Sequence, residues 1–173
     1  VLIYRRGSHD GAITLEVWPT ETGGIAVRRL SSGADTDAAK AARSGQLAPE
    51  LRRRRVAIVG AGALGSFIAD MLVRSGVQKL TLLDSDVVMP GNLVRHLVGP
   101  EAVGRSKVEA VKQHLIDRGG IAGADIEVID HALTSGDEAV ALLTDHDLVV
   151  NATADFATTA LLHVTARALS RRL

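Results

Sequence analysis

Residues 56 to 66 read Val-Ala-Ile-Val-Gly-Ala-Gly-Ala-Leu-Gly-Ser, and this stretch decides the fold. Its first four residues form an apolar run of the kind that is buried on both faces of a parallel sheet. Gly60, Gly62 and Gly65 then give G-x-G-x-x-G spacing ahead of a helical pattern. The first glycine permits a tight turn, the second lets the backbone approach a ligand, and the third allows close packing of helix on strand. Because a helix N-terminus favours anionic groups, the stretch predicts a phosphate-binding β-α unit.

Strand and helix patterns alternate from this point to the end of the chain. Further strands are predicted at Lys79–Leu83, Ile126–Ile129 and Leu148–Val150, and helices at residues 65–75, Ser106–Asp117, Asp137–Leu143 and Phe156–Leu169. Such alternation is typical of βαβ units with right-handed crossovers. We therefore expect an α/β protein with a three-layer, Rossmann-like architecture, in which helices cover both faces of a mainly parallel sheet.

The residues before this region have a different pattern. Ala12–Trp18 and Ile25–Leu30 are short strand-like runs separated by turn residues, so they predict an N-terminal β-hairpin. A small, polar linker and a short helix near Gln46–Leu51 follow. We expect residues 1–50 to form the hairpin, linker and helix, and residues 51–173 to form the Rossmann-like domain. The first residue is Val1 and the last lies just after a helical pattern, so we also expect a longer protein, cut short at the C-terminus.

Composition excludes several classes of function. The 173 residues are 46% apolar, enough for a buried core. Twenty Lys and Arg balance twenty Asp and Glu, which argues against broad electrostatic binding of nucleic acid or of a membrane surface. The chain lacks both an apolar run of about 18 residues and a secretory signal, so we expect a cytoplasmic protein with no membrane span. It contains no cysteine, which excludes a thiolate metal site and a thioester within these residues.

Polar residues after the second predicted strand narrow the choice of ligand class. Asp84 lies 19 residues after Gly65, where a carboxylate can accept hydrogen bonds from a ribose. Up to this point a dinucleotide and ATP fit equally well. Asn92 and Arg95, three residues apart, can share one face of a short helix, and Lys107 begins the next helix, where its ammonium can reach a phosphate. Two cations beside a ribose-binding carboxylate favour a triphosphate.

These motifs together resemble a known family. The segments VAIVGAGALGS, LLDSDVV, GNLVRH and VGRSK are similar to those of the ThiF/MoeB/E1-like adenylating enzymes, from about Gln46 to the end of the chain. Those enzymes activate ubiquitin-like and sulfur-carrier proteins. The variant PGNLVRH resembles more closely the bacterial branch that accompanies E2- or JAB-type domains.

The resemblance implies a function and a set of site residues. The reaction would be the ATP-dependent adenylation of a carrier protein's C-terminal glycine carboxylate, with pyrophosphate released and a homodimer as the working state. ATP and Mg2+ would be the cofactors. The implied ATP-binding residues are Gly60, Gly62, Gly65, Asp84, Asp86, Asn92, Arg95 and Lys107. Arg95 and Lys107 would act on the reacting phosphates, while Asp86 would orient its loop or serve as a turn residue.

The sequence departs from the family pattern at two places. Ala154 stands where the family has its magnesium-binding Asp, and Asp155 follows one place later, so Asp155 is either the metal ligand or the N-cap of the last helix. The arginine that family members contribute to the partner subunit's ATP has no clear match, and Arg43 is the nearest candidate. The six histidines lack metal-ligand spacing and favour surface or supporting roles.

Two other functions stay open at this point. One is an NAD- or FAD-dependent oxidoreductase, and the other is a scaffold or binding module that has lost catalysis, which the Ala154 departure allows. Under the leading hypothesis, substitution of Arg95 or Lys107 lowers adenylation by orders of magnitude. We expect neither side chain to contribute to packing.

Overall fold

A computed structural model describes residues 1–7, 9–33, 45–119, 124–171 and 173. The chain divides into two compact units, Val1–Ala42 and Arg43–Leu173. Arg43, the candidate arginine for a partner subunit, and most of the predicted linker lie outside the described residues.

The first unit is a three-stranded antiparallel sheet in the order β1-β2-β3. Its strands are β1 (Leu2–Arg6), β2 (His9–Pro19) and β3 (Ile25–Leu30). The predicted hairpin is confirmed as β2 and β3. Strand β1 is additional, because a run of three apolar residues beside two arginines is too short to predict a strand on its own. Arg28 joins the two hairpin strands through its ion pair with Glu16 and its position 5.9 Å from the centre of the Trp18 ring.

The second unit is the α/β domain. Its elements are α1 (Ala48–Leu51), β4 (Arg55–Val59), α2 (Gly65–Arg74), β5 (Lys79–Leu83), α3 (Lys107–Gly119), β6 (Asp125–Ile129), α4 (Gly136–Asp145), β7 (Leu148–Asn151) and α5 (Phe156–Ala168), with 3-10 helices at Pro90–Arg95 and Pro100–Ala102. The four strands are parallel, in the order β6-β5-β4-β7. Each predicted element of this unit is confirmed to within two residues at either end.

Both faces of this sheet are buried, as the apolar run in β4 predicts. Val56 and Ile58 face one core cluster, shared with α2 and α3, whereas Ala57 and Val59 face a second, shared with α4 and α5. The architecture is therefore three-layered, with the sheet in the middle. In the described part of the chain, no helix combines the length and the apolar character that crossing a membrane requires.

The strand order predicts a ligand-binding crevice at the carboxyl end of the sheet, between β4 and β7. Strand β5 pairs with one side of β4, and β7 pairs with its other side. Connections after β4 and β7 therefore diverge at their carboxyl ends, where open α/β sheets bind ligands in the resulting crevice.

Candidate functional site at the carboxyl end of the sheet

A cleft of about 610 Å³ opens at this divergence. Segments that follow all four parallel strands line it: Val59, Gly60, Leu83, Asp84, Ser85, Asp86, Ala132, Leu133, Thr134, Thr153, Asp155, Ala157, Thr158 and Leu161. Four of the residues singled out in the sequence, Gly60, Asp84, Asp86 and Asp155, are among them. Asn92, Arg95 and Lys107 lie outside this lining and are carried by neighbouring segments.

The three loop glycines have different structural roles. Gly60 has a φ of +96°, and a Cβ there would lie 2.7 Å from the backbone nitrogen of Thr153. A Cβ on Gly65 would lie 1.8 Å from the carbonyl oxygen of Gly60, so α2 can approach β4 only with glycine at that position. A Cβ on Gly62 would meet nothing within 4 Å. Packing therefore accounts for the first and third glycines, while the second leaves open space beside the loop.

Asp84 fixes the glycine loop. Its Oδ2 accepts a hydrogen bond from the backbone N–H of Ala61 at 2.7 Å, and its Oδ1 accepts one from the backbone N–H of Asp86 at 2.9 Å. Each carboxylate oxygen can accept more than one hydrogen bond, so the side chain keeps capacity for ribose hydroxyls. A single carboxylate thus shapes the glycine loop and keeps further acceptor capacity on the wall of the cleft.

Lys107 is held beside the cleft by Asp86. Its Nζ lies 2.7 Å from Asp86 Oδ2, and its backbone N–H donates to the Asp86 carbonyl at 2.9 Å. A bridge between Val87 and Ser106 continues this pairing of the two segments. Lys107 is only 9% exposed, so the expectation that it stays out of the packing is wrong. The Asp86 carboxylate thus holds the lysine ammonium, and its backbone pairs with that of Lys107.

Asn92 and Arg95 lie on the short 3-10 helix Pro90–Arg95, as their spacing predicts. Asn92 Oδ1 accepts a hydrogen bond from the Met89 backbone N–H at 2.9 Å, which caps the start of this helix and leaves the Asn92 amide NH2 as a donor. The Arg95 side chain is exposed and makes neither a hydrogen bond nor an ion pair with the described part of the chain. Its guanidinium is therefore available to an anion.

Asp155 is the N-cap of α5. Its Oδ2 accepts a hydrogen bond from the Thr158 backbone N–H at 2.6 Å, and this bond lowers the pKa of the carboxyl below the ordinary value of 3.8. No group of three or more His, Cys, Asp or Glu in residues 1–7, 9–33, 45–119, 124–171 and 173 is arranged to hold a metal ion. Mg2+, however, commonly takes one or two carboxylates and completes its shell with substrate phosphates and water. An ionised Asp155 on the cleft wall fits a magnesium ion that arrives with a nucleotide.

His96, for which the sequence analysis favoured a surface or supporting role, is buried. It is 7% exposed, and its Nδ1 accepts a hydrogen bond from the Val98 backbone N–H at 3.4 Å. Burial lowers its pKa below 6.5, with Lys107 acting in the same direction and the Ala61 backbone and Asp84 opposing it. The apolar pair Leu97-Val98 directly after it was the available sequence signal for burial.

The chain is similar in sequence to known proteins. The chain is 44% identical over 71 residues to the ATP-dependent ubiquitin transferase-like protein Cap2 of Enterobacter hormaechei subsp. hoffmannii, a match covering 41% of this chain and 12% of Cap2. It is 38% identical over 121 residues to the adenylyltransferase and sulfurtransferase MOCS3 of Aedes aegypti, covering 69% of this chain and 26% of MOCS3. The matches thus span about a quarter or less of these relatives' length.

Solved structures with the same fold contain adenine nucleotides. E. coli tRNA N6-threonylcarbamoyladenosine dehydratase, TcdA, in complex with AMP, aligns with a TM-score of 0.70 at 25% identity, covering 82% of this chain and 61% of TcdA. E. coli MccB with ATP aligns at 0.63 and 22% identity over 72% of this chain and 37% of MccB, and shows the fold alone. The ThiF family model matches residues 38–173, so this chain belongs to the ThiF family.

Proposed function

We propose that this chain is the MgATP-binding core of an enzyme that adenylates the C-terminal glycine carboxylate of a ubiquitin-like or sulfur-carrier protein. One observation carries the proposal: Asp84 and Asp86 both line the cleft, and Asp84 shapes the glycine loop while Asp86 holds Lys107 beside it. Under this proposal Asp84 binds the ribose and Lys107 binds a phosphate of the same nucleotide. Membership of the ThiF family supports the same activity.

Each of these residues would bind a different part of the nucleotide. The glycine loop and the N-terminus of α2 would receive phosphate oxygens, since backbone N–H groups and the helix dipole favour anions there. Asp84 would accept hydrogen bonds from the ribose. Lys107 has three N–H donors, so it can keep its contact with Asp86 and still bind a phosphate. Asn92 and Arg95 would add an amide donor and a second cation.

The chemical step needs charge stabilisation more than proton transfer. A carboxylate oxygen of the carrier attacks the α-phosphorus, the bond from that phosphorus to the bridging oxygen breaks, and pyrophosphate leaves with the electron pair. The nucleophile is already ionised near pH 7, so no base has to deprotonate it. Negative charge grows on the departing pyrophosphate, where Arg95 and Lys107 would stabilise it. When bound through Asp155, Mg2+ would supply further neutralisation of the phosphates.

The names of the relatives support a protein carrier as substrate. Cap2 is named as ubiquitin transferase-like, and another relative is ubiquitin-like modifier-activating enzyme 5 of Culex quinquefasciatus, 47% identical over 66 residues, 38% of this chain and 17% of that enzyme. We propose a homodimer, as in the family. Because the chain has no cysteine, any later thioester has to form on residues outside these 173.

A second candidate is dehydration of a modified tRNA nucleoside, the activity named for TcdA. The observation that favours it is the alignment with TcdA over 82% of this chain. The zero net charge of the chain disfavours extensive contact with tRNA phosphates. Replacing the carrier protein with tRNA in the experiment below separates the two candidates.

Calorimetry followed by isotope exchange tests the proposal. We expect wild-type protein to bind ATP in magnesium buffer and not NAD, and to exchange labelled pyrophosphate into ATP with a carrier ending in Gly-Gly but not with the same carrier lacking its last glycine. Arg95→Ala and Lys107→Ala should each lower exchange about 100- to 1,000-fold, the range seen when one charge-stabilising donor is removed. NAD binding in place of ATP would support an oxidoreductase, and carrier binding without ATP binding would support a scaffold.

Matched controls come from the same chain. Arg167→Ala removes an exposed arginine in the last turn of α5, and Lys112→Ala removes a lysine from α3, the helix that Lys107 begins. Both controls should keep exchange within about twofold, as surface changes away from a site usually do. Near-normal exchange in Arg95→Ala and Lys107→Ala would refute their assigned roles.

A further inference from the structure

A buried imidazole beside the nucleotide loop has no part in the binding scheme above. Among side chains of the described residues, two buried polar atoms lack a hydrogen-bond partner, His96 Nε2 and Ser106 Oγ. Each directly adjoins a cation of the site, since His96 follows Arg95 and Ser106 precedes Lys107. Native structures rarely retain such atoms, so each requires a reason.

The geometry assigns the protonation of the His96 ring. Nδ1 accepts the Val98 backbone N–H, so the neutral ring carries its proton on Nε2. The charged and polar groups that act on this ring are the Ala61 backbone, Asp84 and Lys107, all parts of the proposed nucleotide site. The ring is therefore a buried donor directly after the Arg95 helix.

His96 is also where the Arg95 segment is anchored. The 3-10 helix Pro90–Arg95 has no buried residue of its own, and Asn92 caps its start. His96 ends this helix in an extended conformation, with φ of −112° and ψ of 152°, and is buried. The next residue, Leu97, donates its backbone N–H to Ser66 Oγ of α2 at 3.4 Å. The exposed Arg95 is thus followed directly by a buried residue and by a hydrogen bond to α2.

We propose that His96 is a positioning residue: its neutral imidazole anchors the end of the Arg95 helix against the glycine loop and so holds the Arg95 guanidinium over the nucleotide phosphates. The inference rests on the proposed function for the identity of that nucleotide. Protonation of Nδ1 would turn an N–H toward the Val98 N–H and place a second cation near Lys107. The anchor should therefore weaken in acid.

Calorimetric titration with MgATP tests this role without requiring the carrier protein. His96→Ala should weaken MgATP binding about tenfold, since small misplacements of a binding group can cost up to about 100-fold. His96→Gln keeps one donor and one acceptor and should stay within about threefold of wild type. The control His163→Ala removes an exposed histidine of α5 and should have no effect.

Two further readouts separate positioning from a general packing role. In an Arg95→Ala background, His96→Ala should cause little additional loss, because residues that act through one another are non-additive. Wild-type affinity should fall, relative to His96→Gln, as the pH is lowered from 7 to 5. Titration of ATP itself is common to both proteins, so the difference between the two curves belongs to His96.

Each outcome decides the proposal. Wild-type affinity in His96→Ala, additive losses in the double variant, or coincident pH curves would overturn it. If His96→Ala does not fold, the comparison of the wild-type and His96→Gln pH curves tests the proposal instead. Wild-type protein that binds MgATP but catalyses no exchange with any carrier refutes the proposed function and leaves the His96 comparison valid, whereas wild-type protein that binds no ATP refutes both.

Discussion

The two ends of the parallel sheet contain similar residue types that differ in how completely they are hydrogen-bonded. Each end has a buried histidine, His96 at the carboxyl end with 7% exposure and His146 at the amino end with 8%. His146 Nε2 lies 2.8 Å from Thr81 Oγ1, and its Nδ1 lies 2.8 Å from the Leu142 carbonyl oxygen, so both ring nitrogens have partners. His96 Nε2 has none. Both histidines are thus buried to a similar extent, but only His146 has a partner for each ring nitrogen.

Charged groups at the two ends also differ in whether they have partners. At the amino end, Asp147 accepts the Arg55 backbone N–H at 2.8 Å and pairs with Arg54 at 3.2 Å, and the adjoining cavity holds about 220 Å³. At the carboxyl end, Arg95 has no partner in the described part of the chain, beside a cleft of about 610 Å³. The polar groups named at the amino end are therefore paired within the chain, whereas at the carboxyl end the Arg95 side chain and His96 Nε2 have no partner among the described residues.

The largest effect expected from this comparison concerns the glycine loop. Gly60→Ala should lower the free energy of unfolding by more than about 3 kcal/mol, because a positive φ and a backbone clash act together. Gly62→Ala should change it by less than about 0.5 kcal/mol yet weaken MgATP binding, because its Cβ would enter the space left for the nucleotide. Urea unfolding and calorimetry measure the two quantities. Equal destabilisation by both substitutions would show that the space beside Gly62 serves packing.

A smaller effect is expected at the amino end. His146→Ala removes two hydrogen bonds and leaves Thr81 and the Leu142 carbonyl unsatisfied, so the free energy of unfolding should fall by about 2 kcal/mol. MgATP affinity should stay within about twofold of wild type, unlike that of His96→Ala, since surroundings far from a site seldom couple to it. Thermal unfolding and calorimetry provide the comparison. An affinity loss in His146→Ala equal to that in His96→Ala would contradict the division between the two ends.

The smallest effect separates the two roles of Asp155. Asp155→Asn keeps an oxygen that can accept the Thr158 N–H, so the melting temperature should hardly change, whereas Asp155→Ala should lower it by a few degrees, about what loss of a helix cap costs. If Asp155 also binds magnesium, both variants should weaken MgATP binding about tenfold, because the charged ligand is gone. Wild-type MgATP affinity in Asp155→Asn would show that Asp155 acts only as a helix cap.

Sequence reasoning reached most of the fold because the signals are local. The apolar run of β4, the glycine spacing and the alternation of strand and helix patterns are each readable within about 30 residues. The same reasoning missed β1, whose apolar run is short, and the burial of His96 and Lys107. Burial depends on segments that meet across the fold, as when the backbone of Asp86 pairs with that of Lys107, 21 positions later.

By itself, the sequence determined a three-layer α/β unit with an antiparallel N-terminal hairpin, and placed Gly60, Asp84, Asp86 and Asp155 among the residues of one site. Chain order accounts for the unit and for Gly60 and Asp84, since the carboxyl ends of parallel strands lie on one side of the sheet, whereas Asp86 and Asp155 were implied by the resemblance to the ThiF/MoeB/E1-like enzymes. Tertiary structure alone decided that Asp84 holds the glycine loop, that Asp86 holds Lys107, and that His96 is enclosed with a donor unsatisfied. These contacts depend on how the segments after the strands fold back on one another, and no spacing along the chain specifies that.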